Sequence, residues 1–114
     1  MVVKMMIEDL EKILNEVPIL MSNYLKGYDK GELRTAEGMV IQKLRDDGSI
    51  MKYTVINYNC DNMAKTLLHE SIHHYYGGTD EWYVEQVEKL IWKLPEHRKL
   101  CQDKIVELCG RYDL

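Results

Sequence analysis

The chain has 114 residues, 46% of them hydrophobic and 30% charged, and it carries a formal net charge of -4. This composition predicts a single globular domain over residues 1–114 and argues against disorder along the chain as a whole. Charges of both signs are interspersed and no apolar run approaches membrane-spanning length, so neither nucleic acid nor a membrane is an expected partner. Glu8 and Asp9 interrupt the first apolar segment, which is atypical of a signal peptide and predicts a cytoplasmic location.

The number and spacing of the cysteines argue against disulfide bonds and against metal binding by cysteine. The three cysteines, Cys60, Cys101 and Cys109, are odd in number and lack the spacing of a zinc knuckle. A disulfide framework or a cysteine-based metal site is therefore not expected. We expect small, buried, free thiols.

The first half of the chain predicts one helix and one β-hairpin. Residues 3–16 place apolar side chains at helical spacing, and Pro18 ends the pattern. Residues 19–37 show no sustained period, and we expect a short helix around residues 19–25 followed by a loop. Residues 38–57 contain two β-rich runs on either side of an Asp-Gly turn, which predicts an antiparallel hairpin.

The second half predicts three helices: residues 62–76, from residue 79 or 80 to residue 94, and residues 96–109. Gly77 and Gly78 end the first of these helices, Pro95 stops the second, and Gly110 ends the third. The expected fold class is α+β and mostly helical. In it, the small antiparallel hairpin packs on helix 62–76 and on the helix that follows.

The most informative motif lies in the predicted helix 62–76. His69, Glu70 and His73 form an HExxH string, and four residues make about one helical turn, so both imidazoles project from the same face. Two neutral histidines beside a carboxylate that accepts a proton from water are the arrangement of a zinc peptidase. The pattern predicts a zinc site with Glu70 as the general base. The alternative is a histidine pair without a metal, buried or at the surface.

Catalytic zinc needs a third protein ligand and an open position for water. The acidic candidates after the glycine turn are Asp80, Glu81, Glu85 and Glu88. Glu81 and Glu85 border the apolar face of their helix, as the histidines do on theirs, and the pattern favours Glu81 as the ligand. Glu88 is expected on a solvated face, and Asp80 is the third choice as a donor.

The string HESIHHYYGGTDEWYVEQVEKL, residues 69–90, resembles the gluzincin branch of zinc metallopeptidases. The similarity is closest to the minimal zincins of phages and prophages and to ImmA/IrrE-type peptidases, in which a helix with an ExxVE-like string follows HExxH. The resemblance implies a zincin-like fold and Zn2+ bound by His69, His73 and Glu81. It also implies that Glu85 accepts a hydrogen bond from a ligand histidine, although the roles of Glu81 and Glu85 can be reversed.

The expected function is zinc-dependent hydrolysis of peptide bonds in a protein or peptide substrate, with Glu70 as general base and then general acid. Candidate donors to the developing oxyanion are His74, Tyr75, Tyr58 and His97. In zincins the strand before the motif helix often presents an edge to the substrate, which here implies residues 50–57. The alternative is a zincin-derived interaction or regulatory protein of phage type that binds a partner and uses its metal structurally.

Overall fold

Four helices and five strands follow one another along the part of the chain that the structure describes, which makes the fold α+β, as predicted. The computed structural model describes residues 5–29, 31–77 and 80–114. The helices are α1 (Ile7–Glu16), α2 (Met63–Tyr76), α3 (Glu81–Ile91) and α4 (Pro95–Arg111). The strands are β1 (Ile19–Ser22), β2 (Lys26–Asp29), β3 (Glu32–Thr35), β4 (Gly38–Leu44) and β5 (Ile50–Asn57). Within the described ranges, none of the helices combines the length and the apolar character that a bilayer crossing requires.

The first predicted helix is present as α1. Leu10 and Leu14 are buried on its inner face, where they join the core. The carboxylate of Asp9 accepts a hydrogen bond from the backbone N–H of Met6 at 2.9 Å, which satisfies a free donor at the start of the helix. The helix ends two residues before Pro18, which cannot continue it. The first two residues of the predicted range lie outside the described residues.

The short helix expected around residues 19–25 is wrong, because this segment begins with the strand β1. β1 runs parallel to β5, with Ile19 opposite Thr54 and Ser22 opposite Asn57. Its hydrogen-bonding partners lie far along the chain, so tertiary pairing decides the structure of a segment whose local pattern is weak. The region expected to be a loop contains the antiparallel pair β2 and β3.

The hairpin predicted over residues 38–57 is present as β4 and β5. In its turn, the carboxylate of Asp47 accepts hydrogen bonds from the backbone N–H and the hydroxyl of Ser49 at 2.9 and 2.6 Å. Gly48 adopts a φ of 86°, a left-handed conformation that favours glycine. The turn therefore depends on the hydrogen bonds of the Asp47 side chain and on the backbone conformation of Gly48, which are the reasons why an Asp-Gly pair predicts a turn.

The strand at the edge of the sheet differs from the one expected. The three-stranded sheet has the order β1-β5-β4, so β5 is hydrogen-bonded on both sides. The expectation that residues 50–57 present an edge to a substrate is therefore wrong. β4 is the edge strand nearest to α2, and its first residue, Gly38, lies opposite Ile56 of β5.

The core is built around α2, which contacts the three other helices as well as β4 and β5. Leu67, Leu68 and Ile72 of α2 are completely buried. The core side chains that pack around them come from the other helices and the sheet, and include Leu10, Leu14, Ile56, Val84, Val87, Ile91, Cys101, Ile105 and Leu108. Contacts with three helices and two strands thus hold the motif helix in place.

Two predicted helix boundaries are wrong by a few residues. α3 ends at Ile91, before the predicted stop at Pro95, and Pro95 instead occupies the first turn of α4. Proline is well tolerated there because the first N–H groups of a helix have no partner within it. At the other end, α4 continues through Gly110 to Arg111.

All three cysteines are free thiols, as predicted. Their burial is less complete than expected, since Cys101 is buried whereas Cys60 and Cys109 are half-buried. Burial raises the pKa of the Cys101 thiol to about 12. Cys101 therefore serves as an apolar core side chain.

Candidate metal centre

The two motif histidines lie on one side of α2, one turn apart. Asn62 caps this helix by accepting a hydrogen bond from the backbone N–H of Lys65 at 3.1 Å, and Gly77 ends it with a φ of 61°. The imidazole rings of His69 and His73 have centroids 5.0 Å apart and meet edge to face. The HExxH spacing thus brings both rings to one place, as the helical pitch requires.

The third donor comes from the first residue of α3. Glu81 places one carboxylate oxygen 2.5 Å from Nε2 of His69 and the other 2.9 Å from Nε2 of His73. Asp80, the third choice from the sequence, caps α3 instead by accepting a hydrogen bond from the backbone N–H of Tyr83 at 2.9 Å. The structure therefore brings together His69, His73 and Glu81.

The chemistry of this group fits a divalent metal ion. Donor atoms of His69, His73 and Glu81 all lie within 4.8 Å of one another. Two imidazole nitrogens and one carboxylate oxygen are a donor set that zinc accepts. Without an ion, the imidazole N–H groups donate to Glu81, and a bound cation would take the place of those protons.

Glu70 is a buried carboxylate next to this donor group. Its exposed fraction is 6%, and within the described residues its carboxylate has no hydrogen-bond partner. Burial raises the pKa of Glu70 to about 7; the charge of His69 opposes this shift, and the carboxylates of Glu81 and Glu88 add to it. A carboxyl group with a pKa raised by burial is more frequent at functional sites than elsewhere, which makes Glu70 a candidate functional residue.

Gly38 allows the sheet to approach α2 at the level of Glu70. A Cβ atom added at Gly38 would lie 2.6 Å from Cγ2 of Thr66 and 3.1 Å from Cγ of Glu70. Both distances are shorter than van der Waals contact, so only glycine fits here without a shift of the neighbouring side chains. The sequence pattern did not indicate this role, because the partners of Gly38 belong to another element.

Glu88 contacts His69 from the side opposite to Glu81. Its carboxylate lies 3.6 Å from Nδ1 of His69, and its side chain is 14% exposed. The expectation that Glu88 belongs to a solvated face is therefore wrong. Glu85 is exposed and does not belong to the three-residue donor group. It lines a cavity next to that group, which is described below.

The charges around His69 change its protonation. Burial lowers the pKa of His69, but this effect is outweighed by the carboxylate of Glu88 and by the charges of Glu81 and Glu70. The net result raises the pKa of His69 to about 9. In the metal-free protein, His69 is therefore a cation at neutral pH.

Two cavities meet at the donor group, and both are lined by Glu70 and Glu81. The larger, which we call the acidic cavity, has a volume of about 520 Å³ and lies between the start of β4, the first half of α2 and α3. Its acidic wall residues are Glu37, Asp61, Glu70, Glu81, Glu85 and Glu88. The smaller, the strand cavity, has a volume of about 330 Å³ and is bordered by β4, Lys52 of β5 and His74 of α2.

The four residues considered as oxyanion donors lie in different places. His74 lines the strand cavity, and its Nε2 forms a hydrogen bond of 2.8 Å with the hydroxyl of Thr54. His97 is buried, and its Nε2 donates to the backbone carbonyl of Met5 at 3.1 Å. Tyr75 lies near Asp9 of α1, whose charge adds to the effect of desolvation in raising the pKa of its phenol.

Tyr58, the fourth candidate, follows β5, and its backbone N–H donates to the carbonyl of Ser22 at 3.0 Å. Neither Tyr58 nor Tyr75 is among the residues that line the two cavities at the donor group. His74 is therefore the candidate that the geometry favours, because it shares the strand cavity with Glu70.

The chain matches no protein-family model, and comparisons with curated proteins and with solved structures gave no match. A functional inference for this protein therefore rests on its site. That site consists of a His-His-Glu donor group beside a buried carboxylate, at the junction of two open cavities.

Proposed function

We propose that this protein is a zinc-dependent peptidase of the gluzincin type, with zinc held by His69, His73 and Glu81 in a zincin-like arrangement of strand, motif helix and glutamate helix. The proposal is carried by the convergence of the three donor side chains within 4.8 Å. Three protein ligands are typical of catalytic zinc, whereas structural zinc is closed by four. The two cavities that meet at the donors leave room for water and for a substrate.

When bound, zinc polarises a scissile carbonyl and lowers the pKa of a water molecule to about 7. Glu70 supplies the proton transfer. Its carboxylate lines both cavities and has no hydrogen-bond partner within the described residues, so it is free to accept a proton from water. The same group then passes that proton to the leaving nitrogen. His74, on the wall of the strand cavity, is the proposed donor to the developing oxyanion, through Nδ1 while its Nε2 accepts from the hydroxyl of Thr54.

The edge strand β4 offers a path for an extended peptide. Gly38 of β4 lines the acidic cavity, while Val40 and Gln42 line the strand cavity, so the strand passes the donor group. On the side away from β5, β4 has no strand partner among the described residues. A peptide that adds to this edge would bind through its backbone, with side-chain preferences left to the cavities.

Metal content and a single substitution test this proposal. Protein purified without a His tag should contain roughly one zinc ion per chain, both as wild type and as Glu70→Gln, because Glu70 is not a ligand. Hydrolysis of a peptide library should fall by about two to four orders of magnitude in Glu70→Gln. Glu16→Gln, at an exposed position on α1, is the matched control and should keep full activity.

Two results would contradict the proposal in different ways. Absence of stoichiometric zinc, together with no thermal shift when zinc is added, would exclude any metal function at this site. Stoichiometric zinc with no hydrolysis, or with equal hydrolysis by wild type and Glu70→Gln, would exclude the peptidase and favour a partner-binding protein with a structural metal.

A further inference from the structure

The two cavities at the donor group differ in charge. The wall of the acidic cavity carries six carboxylates against two lysines, Lys65 and Lys89, and the imidazole of His69. The strand cavity shares Glu70 and Glu81 with it, and otherwise its charged wall residue is Lys52. Even with a divalent cation at the donor group, the carboxylates of the acidic cavity outnumber its positive charges. The excess of negative charge therefore lies on one side of the site.

Three of these wall carboxylates are not neutralised by ion pairs within the described part of the chain, whereas Glu81 and Glu88 contact His69. Among the described residues, Glu37, Asp61 and Glu85 form no ion pair, and neither lysine of the wall does. Glu37 precedes β4, Asp61 precedes α2 and Glu85 lies on α3, so the charges come from three elements that converge on one space. Carboxylates gathered around a concave space concentrate a negative potential there.

A second observation indicates that the space is built for a ligand. Glu70 is 94% buried, since its exposed fraction is 6%, and it lines the acidic cavity as well as the strand cavity without a side-chain hydrogen-bond partner in the described part of the chain. A buried polar group normally has such a partner. A ligand that enters the cavity beside the donor group would give Glu70 the partner that it lacks.

We propose that the acidic cavity is a subsite for a positively charged group of the peptide substrate, either a lysine or arginine side chain or a free amino terminus. This inference rests on the proposed peptidase function and adds a substrate class to it. The volume of about 520 Å³ exceeds what one such side chain needs, so the cation can enter with its neighbouring backbone. Because the strand cavity carries Lys52 instead, the preference applies to one side of the scissile bond.

Binding of defined peptides to the zinc-loaded Glu70→Gln protein tests this inference without requiring turnover. The probes are short peptides of one sequence in three forms. The first has a blocked amino terminus and one lysine, the second has a free amino terminus and acetyl-lysine, and the third is blocked at both groups. At low ionic strength, at least one cationic form should bind roughly three- to tenfold more tightly than the neutral form. Added salt should reduce this ratio.

The cavity charges are then removed on two walls at once. In the double variant Glu37→Gln with Asp61→Asn, the ratio should fall towards one. The matched control, Glu16→Gln with Asp46→Asn, removes the same charges from exposed positions outside the cavity and should keep the ratio. The two cationic probes show whether a side chain or an amino terminus is the group that binds.

Equal binding of all three probes would overturn the inference, as would a ratio that survives in the cavity variant or falls equally in the control. These results are distinct from failure of the proposed function. Hydrolysis that depends on Glu70 but not on substrate charge would exclude the cation subsite and be consistent with the peptidase function. Charge-selective binding that depends on Glu37 and Asp61, without any hydrolysis, would exclude the peptidase function and be consistent with a binding site for cationic peptides.

Discussion

The carboxylate of Glu88 lies 3.6 Å from Nδ1 of His69, while Nε2 of the same ring contacts Glu81 at 2.5 Å. The imidazole is thus held between two glutamates of α3 that are seven residues apart. An acceptor at one ring nitrogen fixes the tautomer and directs the other nitrogen towards a metal. The contact is an ion pair longer than a hydrogen bond, and from it we expect Glu88, and not Glu85 as the resemblance implied, to orient His69 towards a metal.

Substitution of Glu88 should weaken zinc binding without removing a ligand. Glu88→Gln keeps the size of the side chain but loses the charged acceptor at Nδ1 of His69, so we expect zinc affinity to fall by about 10- to 100-fold. Competition with a chromophoric chelator measures this change. Glu85→Gln, on the same helix, is the control and should change the affinity little. A larger loss in Glu85→Gln than in Glu88→Gln would reverse the two roles.

The parts of the fold that the sequence predicted correctly are those with local signals. α2 begins at the cap Asn62 and ends at Gly77, and the β4–β5 turn depends on Asp47 and Gly48, so each boundary is set by neighbouring residues. β1 could not be predicted in this way, because its hydrogen bonds go to β5 at the other end of a long connection. Nothing in the sequence around Ile19 indicates that this residue pairs with β5.

The same distinction applies to the site. The one-turn spacing of His69 and His73 predicts their proximity, and Glu81, eight residues after His73, lies against both of them. The contact of Glu88 depends on how α3 is rotated against α2, which is a property of packing between helices. The role of Gly38 depends on how closely β4 approaches α2. Neither relationship follows from spacing along one element.

Gly38 offers a test of that close approach. Gly38→Ala would place a Cβ 2.6 Å from Cγ2 of Thr66, so we expect a loss of about 1–3 kcal/mol in the free energy of unfolding from overpacking. Urea denaturation measures the loss, and Thr66→Ser should restore part of it by removing the methyl group. Gly110→Ala, where a Cβ meets nothing within 4 Å, should be neutral or stabilising by up to about 1 kcal/mol. Equal effects at the two glycines would show that β4 is not held as closely as described.

Zinc should stabilise the folded protein through His73 and not through its neighbour His74. A zinc concentration of about 100 times the dissociation constant should add about 2.7 kcal/mol to the free energy of unfolding, and a chelator should remove it. His73→Ala should abolish this gain, whereas His74→Gln should keep it even though loss of the bond to Thr54 lowers the basal stability. Thermal unfolding with and without zinc distinguishes the variants. A gain that disappears in His74→Gln would mean that the ligand set is different.

Cys101, which lies away from the metal-binding candidates, should make the free energy of unfolding depend on pH. Its folded pKa of about 12 lies above the ordinary value of 9.0, so between these pH values the unfolded chain releases a proton that the folded chain keeps. Ionisation therefore favours unfolding above pH 9, by up to about 1.4 kcal/mol for each pH unit. Below pH 9 the thiol is neutral in both states, and this contribution to stability is fully present.

Replacing Cys101 by alanine removes this pH dependence and also removes the core contacts of the sulfur atom. We expect Cys101→Ala to cost about 1 kcal/mol near neutral pH, and the difference from wild type to shrink and then reverse as the pH rises above 9. Urea denaturation at a series of alkaline pH values measures it. Ile105→Val, a core substitution on the same helix without an ionisable group, should cost the same at every pH. A Cys101→Ala difference that stays constant up to pH 11 would show that the buried thiol ionises no less readily in the folded state than in the unfolded chain.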